Sequence, residues 1–117
     1  MPARVVVVLD EPHFGNEIAE KLNGLGYDTV AIPDSMAALD AFENATRVEL
    51  LIASVNFPAG RPNGVSLALL ARQRRPEMKV IFIGSLDYTL FATGLGEIVE
   101  RPESATNIVQ HAIRLLG

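Results

Sequence analysis

Polar residues that could do chemistry follow an apolar run in the middle of the chain. The segment LLIASVNFPAG, residues 50–60, reads as a buried strand that passes through Ser54 and Asn56 into a loop marked by Pro58. In an α/β protein, a reactive group or a ligand contact is usually placed at a strand end of this kind. Ser54 could therefore act as a nucleophile or contact a ligand, or its hydroxyl could bond a neighbouring backbone group.

Two carboxylates and a histidine follow the first apolar run, residues 5–9. They belong to Asp10, Glu11 and His13. A serine hydroxyl is uncharged at neutral pH and needs a nearby base to become a nucleophile. His13 could lie near Ser54, but a histidine in the first turn of a helix is more often exposed to solvent. The sequence therefore places no histidine securely beside Ser54.

Apolar runs alternate with helical periodicity along the chain and predict the elements that position these residues. Strands are predicted at 5–9, 27–32, 49–54, 79–84 and 96–100. Helices are predicted from Pro12 to Gly24 or Gly26, from Asp34 or Ser35 to about Asn44, from Asn63 to Pro76 and from Ser104 onward, with a weak element of about two turns between 85 and 94.

The apolar residues of each predicted helix mark the face that should meet the sheet. These residues are Phe14, Ile18, Leu22 and Leu25 in the first helix, Met36, Leu39 and Phe42 in the second, Val65, Ala68, Leu69 and Ala71 in the third, and Val109, Ala112, Ile113 and Leu116 in the last.

Strands that alternate with helices predict the fold class. We expect a single α/β domain over residues 1–117, a doubly wound (βα)5 fold with a five-stranded parallel sheet and helices on both faces. Such sheets bind ligands at the carboxyl ends of their central strands. That edge should gather Asp10 with Glu11, Ser54, Gly84 with Ser85, and residues 100–102.

The composition disfavours several classes of function. The net charge of −4 over 117 residues argues against an extended nucleic-acid surface, and the absence of cysteine removes disulfides and thiolate catalysis and fits a reducing, cytoplasmic compartment. The N-terminal apolar run is too short for a signal peptide or a membrane span. The basic cluster of Arg72, Arg74 and Arg75 is interpreted as a solvated helix C-terminus rather than a phosphate or partner site.

Four segments in order, VVVVLDEP, LLIASVNFP, KVIFIGS and GLGEIVERPES, resemble the receiver domain of bacterial response regulators over essentially the whole chain. Receivers have the flavodoxin-like, CheY-like fold. They carry an acidic pair after the first strand, a phosphate-accepting aspartate at the end of the third, a threonine or serine at the end of the fourth, and Lys-Pro after the fifth. The resemblance implies a role in two-component, phosphorelay signal transduction.

Several of the family's functional positions are changed in this sequence. The resemblance places the acidic pair at Leu9 and Asp10, the phosphate acceptor at Ser54, the strand-four hydroxyl at Gly84 and the lysine at Arg101. Glu11, Asn56 and Ser85 are the polar neighbours of these degenerate positions. One carboxylate of the pair and the acceptor carboxylate are thus missing, so we expect no catalytic residue, no resident cofactor and at most weak Mg²⁺ binding at Asp10 and Glu11.

The position of Arg101 leaves two interpretations open. Its guanidinium could form a bidentate ion pair with Asp10 or Glu11 and lock the site, or it could point to solvent. The segment 85–94 is also shorter than the family's fourth helix, through which receivers generally engage partners or dimerise. The partner surface of this chain is therefore expected to differ.

The leading hypothesis is a degenerate receiver domain that is not an enzyme and that binds a protein without aspartyl phosphorylation. Its partner could be a histidine kinase, an output protein or a second copy in a homodimer, with no nucleic acid and no membrane involved. An alternative is a flavodoxin-like domain that binds a small molecule or anion through Ser54, Asn56, Gly84, Ser85 and Arg101. A third is a hydrolase with Ser54 as nucleophile, although Ala53 and Val55 do not form the small-residue turn expected around such a serine.

Overall fold

The computed structural model describes residues 4–44, 48–55, 63–84, 94–100 and 104–117. Within these ranges the strands are β1 (Val5–Val8), β2 (Thr29–Ala31), β3 (Leu50–Ser54), β4 (Lys79–Ile83) and β5 (Glu97–Val99). The helices are α1 (Pro12–Gly24), α2 (Ser35–Asn44), α3 (Gly64–Arg74) and α4 (Ala105–Leu116). The weak element predicted between residues 85 and 94 lies outside the described residues.

The strands form one parallel sheet in the order β2-β1-β3-β4-β5. The chain leaves β1 toward β2 on one side and returns to β3 on the other, so the strand order reverses between β1 and β3. Val8 at the end of β1 lies opposite Ala53 of β3, which lies opposite Phe82 of β4. The predicted doubly wound parallel fold is confirmed, and its switch point lies where Asp10 and Ser54 leave the sheet.

The core has one layer on each side of the sheet. Every residue of β1 and β3 is buried, which explains why both strands read as continuous apolar runs. One layer packs α1 and α4 on the sheet, through residues that include Val5, Val7, Ile18, Leu22, Ile108 and Ala112. The other packs α2 and α3, through residues that include Val6, Val8, Ala38, Phe42, Leu67 and Ala71.

The predicted caps are present where they can be tested. Asn63 accepts a hydrogen bond from the Ser66 N–H at 2.8 Å, and Ser104 accepts one from the Asn107 N–H at 3.1 Å. Asp34 accepts from the Met36 N–H at 3.1 Å and so begins α2. These bonds satisfy N–H groups that have no partner within a helix.

Three predicted core residues were wrong. Leu25 follows the end of α1 and is 57% exposed, while Met36 and Leu69 are 46% and 50% exposed. In α3 the buried positions follow from Gly64 at helical spacing and include Leu67 in place of Leu69. Because α3 is apolar on more than one side, its periodicity could not indicate which side meets the sheet.

The edge strands are also shorter than predicted, since β2 covers Thr29–Ala31 and β5 covers Glu97–Val99. Each of these strands has a single neighbour in the sheet, so its pairing ends as soon as the chain turns away from that neighbour. Of the predicted outer residues of β2, two still bond β1 through the backbone: the Asp28 carbonyl oxygen accepts from the Val5 N–H at 3.0 Å, and the Ile32 N–H donates to the Val7 carbonyl oxygen at 2.7 Å.

The interpretation of the arginine cluster as a solvated helix end was wrong for two of its members. Arg72 donates to the carbonyl oxygens of Met78 and Leu95 at 2.7 and 2.9 Å. Arg75 donates to the carbonyl oxygen of Phe42 at 2.8 Å. These bonds tie the end of α3 to α2 and to the segment that leads into β5.

The outer edge of β2 is covered by a side chain of α1. Asn23 Nδ2 donates to the Thr29 carbonyl oxygen at 3.0 Å, and Asn23 Oδ1 accepts from the Thr29 N–H at 2.8 Å. This pair of bonds imitates a neighbouring strand and occupies backbone groups that could otherwise bind another chain.

Two glycines of the fold have opposite steric surroundings. A Cβ at Gly64 would overlap the carbonyl oxygen of Ser54 and lie 2.9 Å from the carbonyl carbon, whereas a Cβ at Gly15 would lie at ordinary contact, 3.7 Å from Leu9 and Val7. Gly64→Ala should therefore lower the free energy of unfolding by about 2 kcal/mol or more. Gly15→Ala should raise it by about 0.5–1 kcal/mol, because alanine favours the helix.

Urea denaturation of the two variants beside the parent chain measures both effects. Each substitution adds the same methyl group to a glycine of a helix, so opposite signs can come only from the local packing. Equal changes in the two variants would contradict the close approach of α3 to the end of β3.

Candidate functional site

The ends of three adjacent strands bring the candidate residues together at one edge of the sheet. Asp10 follows β1, Ser54 ends β3, and Gly84 follows β4, and these strands are neighbours in the order β1-β3-β4. The edge predicted from the sequence is therefore the edge at which these residues lie. The other candidates, Asn56, Ser85 and Arg101, lie outside the described residues, and so does the predicted ion pair of Arg101.

Ser54 is held between two groups of Asp10. Its Oγ accepts a hydrogen bond from the Asp10 backbone N–H at 3.1 Å and donates one to Asp10 Oδ1 at 2.9 Å. The serine is 3% exposed, whereas Asp10 is exposed. The sequence analysis left open that the Ser54 hydroxyl bonds a neighbouring backbone group. It does so, and it bonds the Asp10 carboxylate as well.

These bonds disfavour a covalent role for Ser54. Its only proton is directed to a carboxylate, which is a much weaker base toward an alcohol than an imidazole is. His13 lies in the first turn of α1 and is exposed.

Leu9 contributes hydrocarbon where the resemblance implies a carboxylate. The side chain is 1% exposed and belongs to the core layer of α1 and α4. It also lines a cavity of about 150 Å³ with Val7, Pro12, Gly15, Asn16, Ala31, Ile32 and Pro33. Leu9 therefore stabilises the packing of α1 on the sheet and offers no ligand to an ion.

Gly84 lies close to the side chain of Val55, a residue that the sequence analysis did not single out. A Cβ at Gly84 would lie 3.1 Å from both Cβ and Cγ2 of Val55, closer than most such contacts. Val55 is 1% exposed, and its N–H donates to the Ile83 carbonyl oxygen at 3.1 Å. A threonine or serine at position 84 would need Val55 to move, so the two positions depend on one another. The only sequence feature that could have indicated a buried Val55 at this site is its apolar side chain.

Among the described residues, the positions matched to the family supply few ligands for a magnesium ion. At the positions that the resemblance matches, Asp10 supplies a carboxylate, Leu9 supplies none, and the Ser54 hydroxyl is bonded to Asp10. Magnesium usually takes carboxylate oxygens in octahedral geometry together with water. Across the part of the chain that the structure describes, no group of three or more His, Cys, Asp or Glu side chains is placed to hold a metal.

Comparison with solved structures identifies the fold. A response regulator receiver domain protein (CheY-like) from Methanospirillum hungatei has a TM-score of 0.84 at 21% identity, with 99% of this chain and 94% of that chain covered. A receiver domain protein from Clostridium thermocellum has a TM-score of 0.82 at 22% identity, with 97% and 94% covered. This chain has the receiver fold.

A longer protein contains the same fold. NtrX from Brucella abortus, solved in complex with ATP, has a TM-score of 0.83 at 26% identity, and the match covers 99% of this chain and 27% of NtrX. No family model matches the chain, and no curated protein matches it. Within the described ranges, no helix is long and apolar enough to cross a membrane.

Removal of the Ser54 hydroxyl should have a modest and local effect. Ser54→Ala loses both bonds to Asp10, and the exposed Asp10 groups regain bonds to water, so the free energy of unfolding should fall by about 1 kcal/mol. Ser66→Ala, at an exposed position of α3, is the matched control and should change it by less than about 0.5 kcal/mol. If urea denaturation showed the same loss of unfolding free energy for Ser54→Ala and Ser66→Ala, the bonds between Ser54 and Asp10 would not contribute to stability.

Proposed function

We propose that this chain is a degenerate receiver domain of two-component signalling that binds a protein without being phosphorylated. The fold supports the first part, since the solved structures compared above are receivers. The bonds between Ser54 and Asp10 carry the second part. At the position where a receiver has an acidic phosphate acceptor, this chain has a buried hydroxyl whose proton is already donated.

Changes at the ends of β1, β3 and β4 together support the absence of phosphorylation in this proposal. A carboxylate attacks a phosphoryl group as an ionised nucleophile, while a serine hydroxyl must first lose its proton. Leu9 leaves Asp10, with Glu11 beside it, to hold any Mg²⁺, so metal affinity is weak. Gly84 supplies no hydroxyl to the site, and Val55 closes the space that a larger residue would need.

A binding module rather than an enzyme is the activity that this arrangement supports. Among the described residues of this edge, the group that accepts the Ser54 proton is the Asp10 carboxylate, which is too weak a base to activate an alcohol. The partner in this proposal is a protein of the signalling pathway, either a histidine kinase, an output protein or a second copy of the chain.

The anion-binding alternative has less support at the described residues. A cavity beside the end of β1, formed by described residues, measures about 150 Å³ and is lined mainly by apolar side chains. Pockets that bury a small ligand are commonly about 300 Å³ or larger and place polar groups toward it. Ser54 lies outside that lining and already has both of its bonds within the chain.

The first prediction of the proposal is that acetyl phosphate with Mg²⁺ leaves the chain unmodified. Intact mass spectrometry should show no added phosphoryl group, and the amide NMR signals of Asp10, Ser54 and Gly84 should not shift as a cluster. An ordinary receiver domain treated in the same tube is the control for the reagent. A stoichiometric adduct on this chain would overturn the proposal.

The second prediction concerns restored charge at the acceptor position. Ser54→Asp places a carboxylate where the hydroxyl now lies 2.9 Å from Asp10 Oδ1, so repulsion in a poorly solvated place should lower the free energy of unfolding by about 2 kcal/mol. Added Mg²⁺ should recover part of that loss, because the cation binds the folded state between the two carboxylates.

Denaturation midpoints with and without Mg²⁺ test this second prediction. The parent chain and Ser66→Asp, whose new charge is exposed, should show no Mg²⁺-dependent gain. A parent chain stabilised by Mg²⁺ as much as Ser54→Asp would show that its site already holds the metal.

A further inference from the structure

Three charged or titratable side chains meet where helix α4 passes the edge strand β5. Glu97 begins β5 and lies in register with Ile81, whose side chain belongs to the core layer of α1 and α4. Glu97 therefore lies on the side of the sheet that α4 covers. His111 and Arg114 are three residues apart in α4, so they lie on the same side of that helix.

The bonds of this cluster converge on Glu97. Arg114 Nη2 donates to Glu97 Oε1 and Oε2 at 2.8 and 3.1 Å. His111 Nδ1 lies 3.1 Å from the same Oε1 and 3.1 Å from Arg114 Nη2. The exposed fractions of the side chains are 36% for His111, 34% for Glu97 and 58% for Arg114. Water can therefore deliver a proton to the cluster.

One ring nitrogen of His111 thus faces two neighbours that need it in different states. When Nδ1 carries no proton, it can accept a hydrogen bond from Arg114 but cannot donate to Glu97. When Nδ1 is protonated, it can donate to Glu97 but no longer accepts from Arg114. A positively charged ring would also repel the guanidinium 3.1 Å away. The observed contacts with Arg114 fit the neutral ring with its proton on Nε2.

Other charged groups of the described chain do not compete for this histidine. Within that part of the chain, the bonds of His111 are those with Glu97 and Arg114. The remaining charged or titratable residues next to α4 on the elements that pack against it are exposed, or in one case bonded to Arg4. They are His13, Glu17, Glu20 and Lys21 of α1, Glu49 before β3, which bonds Arg4, Lys79 of β4, and Glu100 after β5.

We infer that the cluster of Glu97, His111 and Arg114 is a pH-sensitive switch at the β5–α4 edge. When His111 takes up one proton from water, its imidazolium donates to Glu97, and Arg114 is released into solvent. The summed charge of the three side chains rises from zero to +1, so a molecule that contacts this edge meets a different surface above and below the transition. The inference goes beyond the proposed function and does not depend on it.

NMR titration of the histidine ring signals between about pH 8.5 and 5 tests the coupling, since this is the range in which histidines ordinarily change charge. Arg114→Gln removes the cation that favours the neutral ring, so His111 should take up its proton at a higher pH than in the parent chain. Glu97→Gln removes the anion that favours the charged ring, so the midpoint should move to a lower pH. The exposed His13 is the internal control and should titrate alike in all three proteins.

The release of Arg114 is measured on its own side chain. The heteronuclear NOE of the Arg114 Nε–H should fall as His111 takes up its proton, because the guanidinium loses its partners. His111→Gln keeps a hydrogen-bond acceptor that does not titrate, so there the Arg114 signal should stay constant over the same pH range. Arg72, which bonds the carbonyl oxygens of Met78 and Leu95, is the control for an arginine that stays ordered.

Opposite shifts of the His111 midpoint in the two variants, together with a pH-dependent Arg114 in the parent chain but not in His111→Gln, would support the inference. Three outcomes would overturn it. The midpoint of His111 could stay the same in both variants, it could move in the same direction in both, or the order of the Arg114 side chain in the parent chain could be independent of pH.

Discussion

Strands β1 and β3 are buried on both faces, and the candidate site takes its geometry from the ends of these two strands. In a parallel sheet the register fixes which residues leave the sheet side by side, and Val8 lies opposite Ala53. Ser54 follows Ala53 directly, and Asp10 comes two residues after Val8, so the two lie within hydrogen-bond distance although they are 44 positions apart in the chain. Ser54 alternates with Ala53 and Val55, which belong to the layer of α2 and α3, so it faces the side of α1 and α4. A shift of one residue in this register would turn Ser54 toward α2 and α3.

The same constraint explains why the three changed positions are compatible with a stable fold. A polar group buried without a partner costs about 1–3 kcal/mol, and Ser54 avoids that cost through its two bonds to Asp10. Leu9 turns into the layer of α1 and α4, where a carboxylate would lack solvent. Gly84 leaves room for Val55. Each position is thus satisfied by a neighbour within the chain and needs no ion.

The sequence was sufficient for the features that depend on local patterns. Continuous apolar runs predicted the buried strands, and the caps Asn63 and Ser104 predicted where two helices begin, because capping involves residues only three apart. It was insufficient where distant segments decide. The Ser54–Asp10 pair requires the register of β1 and β3, and the contact of Gly84 with Val55 requires that of β3 and β4. The exposure of Met36 and Leu69 depends on how far α2 and α3 rotate about their axes, which two-sided apolar patterns do not indicate.

Helix α3 connects the candidate site to a groove of about 220 Å³ between α2 and α3, which is lined by Leu39, Phe42, Leu70, Ala71, Gln73 and Arg74. Gly64, its first residue, donates its N–H to the Val55 carbonyl oxygen at 3.0 Å and packs directly on the Ser54 carbonyl group. The other end of the helix is held by Arg72 on the carbonyl oxygens of Met78 and Leu95. Between these fixed ends lie Leu70 and Ala71, which line the groove. The packing of Gly64 on the Ser54 backbone therefore fixes one end of the helix that shapes the groove, and it links the position of α3 to the end of β3.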